Sequence, residues 1–265
     1  MGAVITLTTD FGMADAYVAA MKGVILSINP EAKLIDICHT IKPQNIPQAA
    51  FIISTAYRFF PPNTIHLVVV DPGVGTERRA IILRTPVACF VAPDNGVLSY
   101  VVQQFSNSPL ELEPELEAVA ITNPQFWRSP VSPTFHGRDI FAPVAARLSL
   151  GFPPADFGEA ITSVTMLPLS QPYRASDGSL VGHILHIDSF GNLITNIKGD
   201  DLPQTGQPIT IEVGSQFVSG LSRTYAGGEG LLALIGSSGY LEVSLKGGSA
   251  QAFLDAEVGN EVRIR

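Results

Sequence analysis

Charged residues are scarce in this chain: they make up only 15% of its 265 residues, and 16 basic side chains face 24 acidic ones. The formal net charge of -8 argues against binding to nucleic acid, because a phosphate backbone is recognised by clustered Lys and Arg. Apolar residues make up 46% of the chain, which excludes a disordered protein, since disorder requires low hydrophobicity and dense charge. The composition predicts a globular protein whose ligand is neutral or cationic.

Cysteine is almost absent, since Cys38 and Cys89 are the only two. They are too few for a disulfide framework, and both lie in apolar runs, so we expect buried, reduced thiols. No apolar run approaches the roughly 18 residues that a membrane span requires. The first residues also lack the basic region and the cleavage site of a secretory signal. We therefore expect a cytoplasmic protein that does not bind membranes.

The motifs of several common sites are missing as well. No GxxxxGK[ST] run is present, which argues against a phosphate-binding loop. His183 and His186 are three residues apart in a strand-like run, so they point to opposite faces of the strand. The two cysteines do not have the spacing of metal ligands. We expect the protein to use neither a metal ion nor a cofactor.

Strand-like and helix-like segments alternate in the first part of the chain. Apolar, β-rich runs at 3–8, 33–38 and 64–70 are separated by helical patterns that end near Pro30 and Phe59. This alternation predicts an α/β domain over residues 1–168, with a mainly parallel central sheet and right-handed crossovers. Further strands are predicted at 79–84 and 87–92, and further helices at 96–105 and 139–150.

The character of the sequence changes after this domain. Residues 169–179 are rich in Pro, Ser and Gly and are predicted to form a linker. Residues 180–265 are predicted to form an all-β, barrel-like domain, because short β-like runs alternate there with turns. Those runs lie at 181–187, 209–213, 231–235, 240–245 and 261–265.

Polar residues follow the predicted strands of the first domain. Asp10 follows the first strand, His39 follows the second, and Asp71 and Arg78 follow the third. Ligands of open α/β sheets bind beyond the carboxyl ends of the strands, so these side chains indicate a site. The alternative is a turn in which Asp71 only caps the backbone. His136 lies in a polar turn directly before a predicted helix.

Several short motifs occur in a fixed order: TTDFG, VVVDPGVGTERRA, APDNGVL, TFHGRDIFAPVAA, IDSFGNLITNI and SSGYLEV. Together they resemble the S-adenosyl-L-methionine (SAM) hydroxide adenosyltransferases, also called adenosine-forming SAM hydrolases, which are relatives of the fluorinase and chlorinase enzymes. The resemblance covers essentially the whole chain. It implies hydrolysis of SAM to adenosine and L-methionine. It also implies a homotrimer, with the site between the N-terminal domain of one subunit and the C-terminal domain of the next.

The resemblance also implies roles for individual residues. Asp71, Arg78 and His136 match the set that positions the attacking water or hydroxide. Asp10 matches the residue that binds the ribose hydroxyls. The other implied substrate-binding residues, near the methionine or adenine parts, are Asp15, Asp188, Asn192, Tyr225 and Ser237.

Departures from the fluorinase pattern favour hydrolysis over halogenation. Gly137 stands where the fluorinase has a halide-binding Ser, and Asp71 stands where it has Tyr. A carboxylate repels a halide, but it can hold Arg78 through a charge-assisted bond, and the fixed charge of Arg78 can stabilise hydroxide. His136 is either a general base or a positioning group, and the sequence leaves both open. The alternatives to a hydrolase are a non-catalytic module that binds adenosine or SAM and a 5′-halogenase.

Overall fold

The structure, a computed structural model, describes residues 2–105, 112–203, 209–227 and 229–265. The chain divides into two compact units, Met1–Leu167 and Pro168–Arg265. Within the described ranges, no helix has the length and apolar character needed to cross a membrane.

A seven-stranded mixed sheet forms the centre of the first unit. Its strands are β1 (Val4–Thr9), β2 (Lys33–Cys38), β3 (Thr64–Val69), β4 (Ala80–Arg84), β5 (Ala88–Pro93), β6 (Glu117–Ile121) and β7 (Gly158–Ile161). They lie in the order β2-β1-β3-β5-β4-β6-β7. The first four strands in this order are parallel, and β4, β6 and β7 pair antiparallel. The predicted α/β fold class is confirmed.

Helices cover both faces of this sheet. They are α1 (Tyr17–Ile28), α2 (Ile46–Ala56), α3 (Ser99–Gln103) and α4 (Ala142–Leu148). The apolar side chains of α1 and α4 share one core with one face of the sheet, and those of α2 and α3 share a second core with the other face. Every residue of β3 is buried, as the continuous apolar run predicts for a strand covered on both sides.

Local signals explain where some of these elements begin. Asn45 caps α2, because its side chain accepts a hydrogen bond of 3.0 Å from the backbone N–H of Gln48, and Pro47 occupies the first turn. The predicted helix at 139–150 instead begins with a π-helical turn over Gly137–Phe141, which continues into α4. The predicted helix at 96–105 is wrong in length, since only Ser99–Gln103 is helical.

The second unit is an antiparallel, barrel-like sheet with one short helix, α5 (Ala250–Leu254). The strands are β8 (Tyr173–Arg174), β9 (Leu180–Ile187), β10 (Leu193–Lys198), β11 (Thr210–Val213), β12 (Gln216–Ser219), β13 (Leu231–Ile235), β14 (Tyr240–Leu245) and β15 (Glu261–Ile264). Their order in the sheet is β12-β11-β15-β9-β10-β14-β13, β8 pairs with β9, and the edge strands β12 and β13 contact each other. The fold class predicted for this part of the chain is confirmed.

Candidate active site

A cavity of about 380 Å³ lies in the first unit, and residues directly after β1 and β3 line it. This position is the carboxyl edge of the parallel strands, where ligands of open α/β sheets bind. The cavity is lined by Asp10, Phe11, Tyr17, Pro43, Gln44, Val69, Asp71, Pro72, Val74, Thr134, Phe135, His136 and Gly137. Residues from separate sequence motifs therefore share one cavity.

Asp71 and Arg78 form a two-point ion pair beside this cavity. The Nε atom of Arg78 donates to Oδ1 of Asp71 at 2.8 Å, and Nη2 donates to Oδ2. The side chains are only 5% and 11% exposed, respectively. The guanidinium also lies 5.2 Å from the ring centre of Phe141, which is fully buried. The planar guanidinium is held by two hydrogen bonds and lies over the ring, so it has little freedom to turn.

His136 completes the cluster. Its Nδ1 atom lies 2.9 Å from Nη2 of Arg78. A guanidinium can only donate, so Nδ1 must accept and the proton of the neutral ring must be on Nε2. Burial lowers the pKa of His136, and the charge of Arg78 lowers it further, although Asp71 acts in the opposite direction. The imidazole is therefore neutral around neutral pH.

Gly75 allows the loop that carries Asp71 and Arg78 to approach the loop that carries His136. Its φ angle is +78°, and a Cβ atom there would lie 2.4 Å from the carbonyl oxygen of Pro133. Only glycine avoids both the unfavourable backbone conformation and this contact. The close approach of the two loops gives the cluster its compact geometry.

Asp139 anchors the turn that presents His136. It is fully buried, and it accepts hydrogen bonds from the side chain of Arg138 and from the backbone N–H of Ser132. Burial raises the pKa of Asp139, but these bonds and the charge of Arg138 outweigh that effect, so the pKa is lowered. The carboxylate thus remains charged and holds the π-helical turn against the preceding loop.

Asp10 lies on the same cavity and is held by the segment before α2. Its Oδ2 atom accepts a hydrogen bond of 2.7 Å from the backbone N–H of Gln44. The following turn is fixed by a bond of 2.8 Å from the N–H of Gly12 to the carbonyl oxygen of His39. Asp15, in contrast, is exposed and does not line the cavity.

A second cavity, of about 640 Å³, lies in the second unit and is lined by Asp188, Asn192 and Tyr225 among others. The carboxylate of Asp188 accepts from the backbone N–H of Phe190 and from both the backbone and the side chain of Asn192, each at 2.9 Å. Ser237 lies in the exposed turn between β13 and β14 and does not line this cavity.

Glu242 is a buried acid that sequence reasoning missed. It is 6% exposed, and its Oε1 atom accepts hydrogen bonds from the hydroxyl of Tyr225 at 2.8 Å and from that of Ser244 at 2.9 Å. Burial, together with the bond to Glu242, raises the pKa of Tyr225 to about 12. The acid therefore fixes the ring of Tyr225 at the edge of the second cavity. A single acidic residue inside an apolar strand was the available signal.

Among the described residues, no cluster of three or more His, Cys, Asp or Glu side chains is placed to hold a metal ion. The positive charge beside the first cavity is the guanidinium of Arg78, which is bonded to Asp71 and His136.

Comparisons with known proteins agree along the whole chain. Residues 5–158 match the model of the SAM hydroxide adenosyltransferase N-terminal domain, and residues 182–263 match that of the C-terminal domain. A protein of Salinispora tropica named (R)-S-adenosyl-L-methionine hydrolase is 37% identical over 98% of this chain and 97% of its own length. A protein of Nocardia brasiliensis named fluorinase is 28% identical over 99% of this chain and 96% of its own.

The crystal structure of an uncharacterized conserved protein from Thermotoga maritima superposes with a TM-score of 0.89 at 36% identity, over 98% of this chain and 99% of that one. Each family model matches one of the two units, and the sequence relatives and this structure cover both. The chain belongs to the SAM hydroxide adenosyltransferase family.

Proposed function

We propose that this protein hydrolyses SAM to adenosine and L-methionine by in-line attack of water at C5′ of the ribose. The observation that carries the proposal is the cluster of Asp71, Arg78 and His136 beside a cavity that Asp10 also lines. The curated relatives named SAM hydrolases, at up to 37% identity, support the same reaction.

The chemistry demands an activated nucleophile and little else. The sulfur of SAM is a cation that departs as a neutral thioether, so the leaving group needs no proton donor. The C5′–S bond breaks, a C5′–O bond forms, and one proton of the water is released. Bulk water has a pKa of about 15.7, so hydroxide must be stabilised before it can attack efficiently. The fixed charge of Arg78, whose side chain is only 11% exposed, supplies that stabilisation.

His136 acts in this proposal as a hydrogen-bond donor that positions the water. Its Nδ1 atom accepts from Arg78, which leaves the protonated Nε2 atom to hold the oxygen of the nucleophile. An Nε2 atom that already carries a proton has no lone pair to accept another, and the lone pair of Nδ1 is occupied by the bond from Arg78. Burial and the charge of Arg78 lower the pKa of His136 and so oppose formation of an imidazolium, and the released proton passes to solvent.

Asp10 is proposed to bind the ribose diol. Its Oδ2 atom already accepts from Gln44, and the other carboxylate oxygen has lone pairs for the ribose hydroxyls. Binding of the adenine and methionine parts is proposed for the residues of the second unit and for the exposed acid after β1. These residues are Asp15, Asp188, Asn192, Tyr225 and Ser237.

The assembly and location are also proposals. The proposed ligand-binding residues are divided between the two units, so we propose a homotrimer in which the first unit of one subunit and the second unit of the next build each site. Light scattering coupled to gel filtration tests this, and a monomer with full activity would contradict it. We propose a cytoplasmic location, where SAM is made and where Cys38 and Cys89 would stay reduced, as both are free here.

Hydrolysis is tested with SAM in ¹⁸O-labelled water, followed by mass spectrometry of the nucleoside. Adenosine that carries one heavy oxygen at C5′ is expected. A sample without protein and the Arg78→Ala variant serve as controls. Tight adenosine binding without product over hours would support a binding module instead. Formation of 5′-chloro-5′-deoxyadenosine in chloride would support a halogenase, which the carboxylate of Asp71 disfavours because it repels the halide.

A further inference from the structure

We propose that Asp94 and Asn95 are positioning residues of the reaction, because they fix the two ends of the loop that carries Asp71 and Arg78. They belong to the APDNGVL motif, to which the proposed mechanism assigns no role. The inference rests on the proposed function of that loop.

Asn95 holds the first end of the loop. Its Nδ2 atom donates a hydrogen bond of 2.9 Å to the carbonyl oxygen of Val70, the residue directly before Asp71. Its Oδ1 atom is used within its own turn, where it accepts from the N–H of Val97 at 3.2 Å. The amide is thus fixed at both atoms. Neither aspartate nor a shorter side chain reproduces the donated bond.

Asp94 holds the second end of the loop. Its Oδ2 atom accepts from Nε of Arg79 at 2.8 Å, and its backbone N–H donates to the carbonyl oxygen of Arg79 at 2.9 Å. Arg79 is the residue directly after Arg78. The carboxylate is only 2% exposed, whereas the side chain of Arg79 is 41% exposed, so solvent screens the pair from the arginine side only.

The turn that carries Asp94 and Asn95 is also hydrogen-bonded to the 163–167 segment. The N–H of Thr165 donates to Oδ1 of Asp94 at 2.7 Å, and the N–H of Leu167 donates to the hydroxyl of Ser99 at 2.8 Å. A Cβ atom on Gly96 would lie 2.8 Å from the side chain of Leu167. The motif therefore contacts both the loop and the 163–167 segment. The contacts with that segment oppose movement of the motif together with the loop.

The sheet already places the ends of β3 and β4 on either side of β5. The bonds from Asn95 and Asp94 then fix Val70 and Arg79, the two residues that adjoin the ion pair. Within the loop, Val74 and Thr76 make only short-range backbone bonds to Asp71 and Gly73. A displacement of the reacting groups by about 1 Å can lower a rate by about 100-fold, so such anchoring matters for turnover.

Asn95→Asp tests the proposal, and the chain offers a matched control in Asn123→Asp. Asn123 has the same bonding pattern: its Nδ2 atom donates to the carbonyl oxygen of Asp156 at 2.9 Å, and its Oδ1 atom accepts from Gln125 at 3.2 Å. Asn95→Ala removes the donor without adding a charge and serves if the first variant folds poorly. We measure kcat, the Kd of SAM by calorimetry, and the pKa of His136 by NMR titration.

Asn95→Asp and Asn95→Ala are expected to lower kcat by about tenfold or more, while the Kd of SAM changes by less than about threefold. The pKa of His136 should rise toward its ordinary value, because Arg78 moves away from the ring. Asn123→Asp should change none of these. Equal kcat losses in the Asn95 and Asn123 variants, or an unchanged pKa of His136, would overturn the proposal. If wild-type protein does not hydrolyse SAM, the proposed function fails, but the NMR titration still tests the anchoring.

Discussion

Replacing Asp71 with Asn is expected to disable the site while leaving its shape nearly intact. The Asn oxygen can still accept one bond from Arg78, but its NH₂ group then faces a guanidinium that also only donates. One of the two side-chain bonds in a pair that is 5% and 11% exposed is therefore lost. A hydrogen bond to a charged group contributes about 1.5–3 kcal/mol, so the free energy of unfolding should fall by about 2 kcal/mol.

The same substitution makes a prediction about rate and pH. With one of its two bonds to residue 71 lost, the guanidinium of Arg78 is held less firmly, and kcat should fall by about 100-fold. The charge of Asp71 normally raises the pKa of His136, so its removal lowers that pKa further and moves the acid limb of the pH–rate profile to lower pH. Initial rates of adenosine formation against pH, with urea unfolding alongside, measure both effects.

The control for Asp71→Asn is Asp177→Asn. Asp177 also pairs with an arginine, Arg263, but at 3.4 Å and with 51% of its side chain exposed. An exposed pair of this kind contributes little to stability. Asp177 is also not among the residues that line the first cavity, so this variant should retain wild-type rates. A kcat for Asp71→Asn within about twofold of wild type would refute the role given to the ion pair.

Three further predictions concern packing and charge. Gly75→Ala should destabilise the protein clearly more than Gly151→Ala, since both have positive φ but only the Cβ at Gly75 meets another backbone atom within 4 Å; equal unfolding energies would contradict this. Burial lowers the pKa of His66 from 6.5 to about 4, so about 3 kcal/mol of the free energy of unfolding that is present above pH 6.5 should be lost as the pH falls toward 4. Unfolding measured against pH should show a flatter dependence for His66→Gln. Glu242→Gln should lower the pKa of Tyr225 from about 12, as ultraviolet titration against a Tyr225→Phe reference would show, and an unchanged value would argue against the contact.

The sequence is most informative where local signals are strong. The apolar run at 64–70 and the cap at Asn45 predict β3 and the start of α2, and both are present. Strands β6 and β7 were not predicted, because runs of four or five residues between prolines carry little periodicity. Their pairing at the sheet edge depends on β4, which lies far away in the sequence.

In the candidate site too, contacts between residues close in sequence could be predicted, and contacts between distant residues could not. Asp71 and Arg78 are seven residues apart around a turn, whereas His136 is 58 residues from Arg78 and joins them only through the packing of two loops. The motifs identified these residues, but not the direction of the Arg78–His136 bond. Nor could they identify Asn95 as a contact of Val70, because a bond from a side chain to a distant carbonyl oxygen leaves no spacing pattern.

The role of the Arg78 charge is tested most directly by Arg78→Ala, with single-turnover adenosine formation and calorimetric binding of SAM measured on the same sample. Turnover should fall by about 100-fold or more, while the Kd of SAM stays within about threefold of wild type, because the charge acts on the water and not on the bound cation. The double variant Asp71→Asn/Arg78→Ala removes the unpaired buried acid if the single variant folds poorly. A parallel loss of binding and turnover, or turnover that survives, would contradict the assignment of Arg78 as the group that activates water.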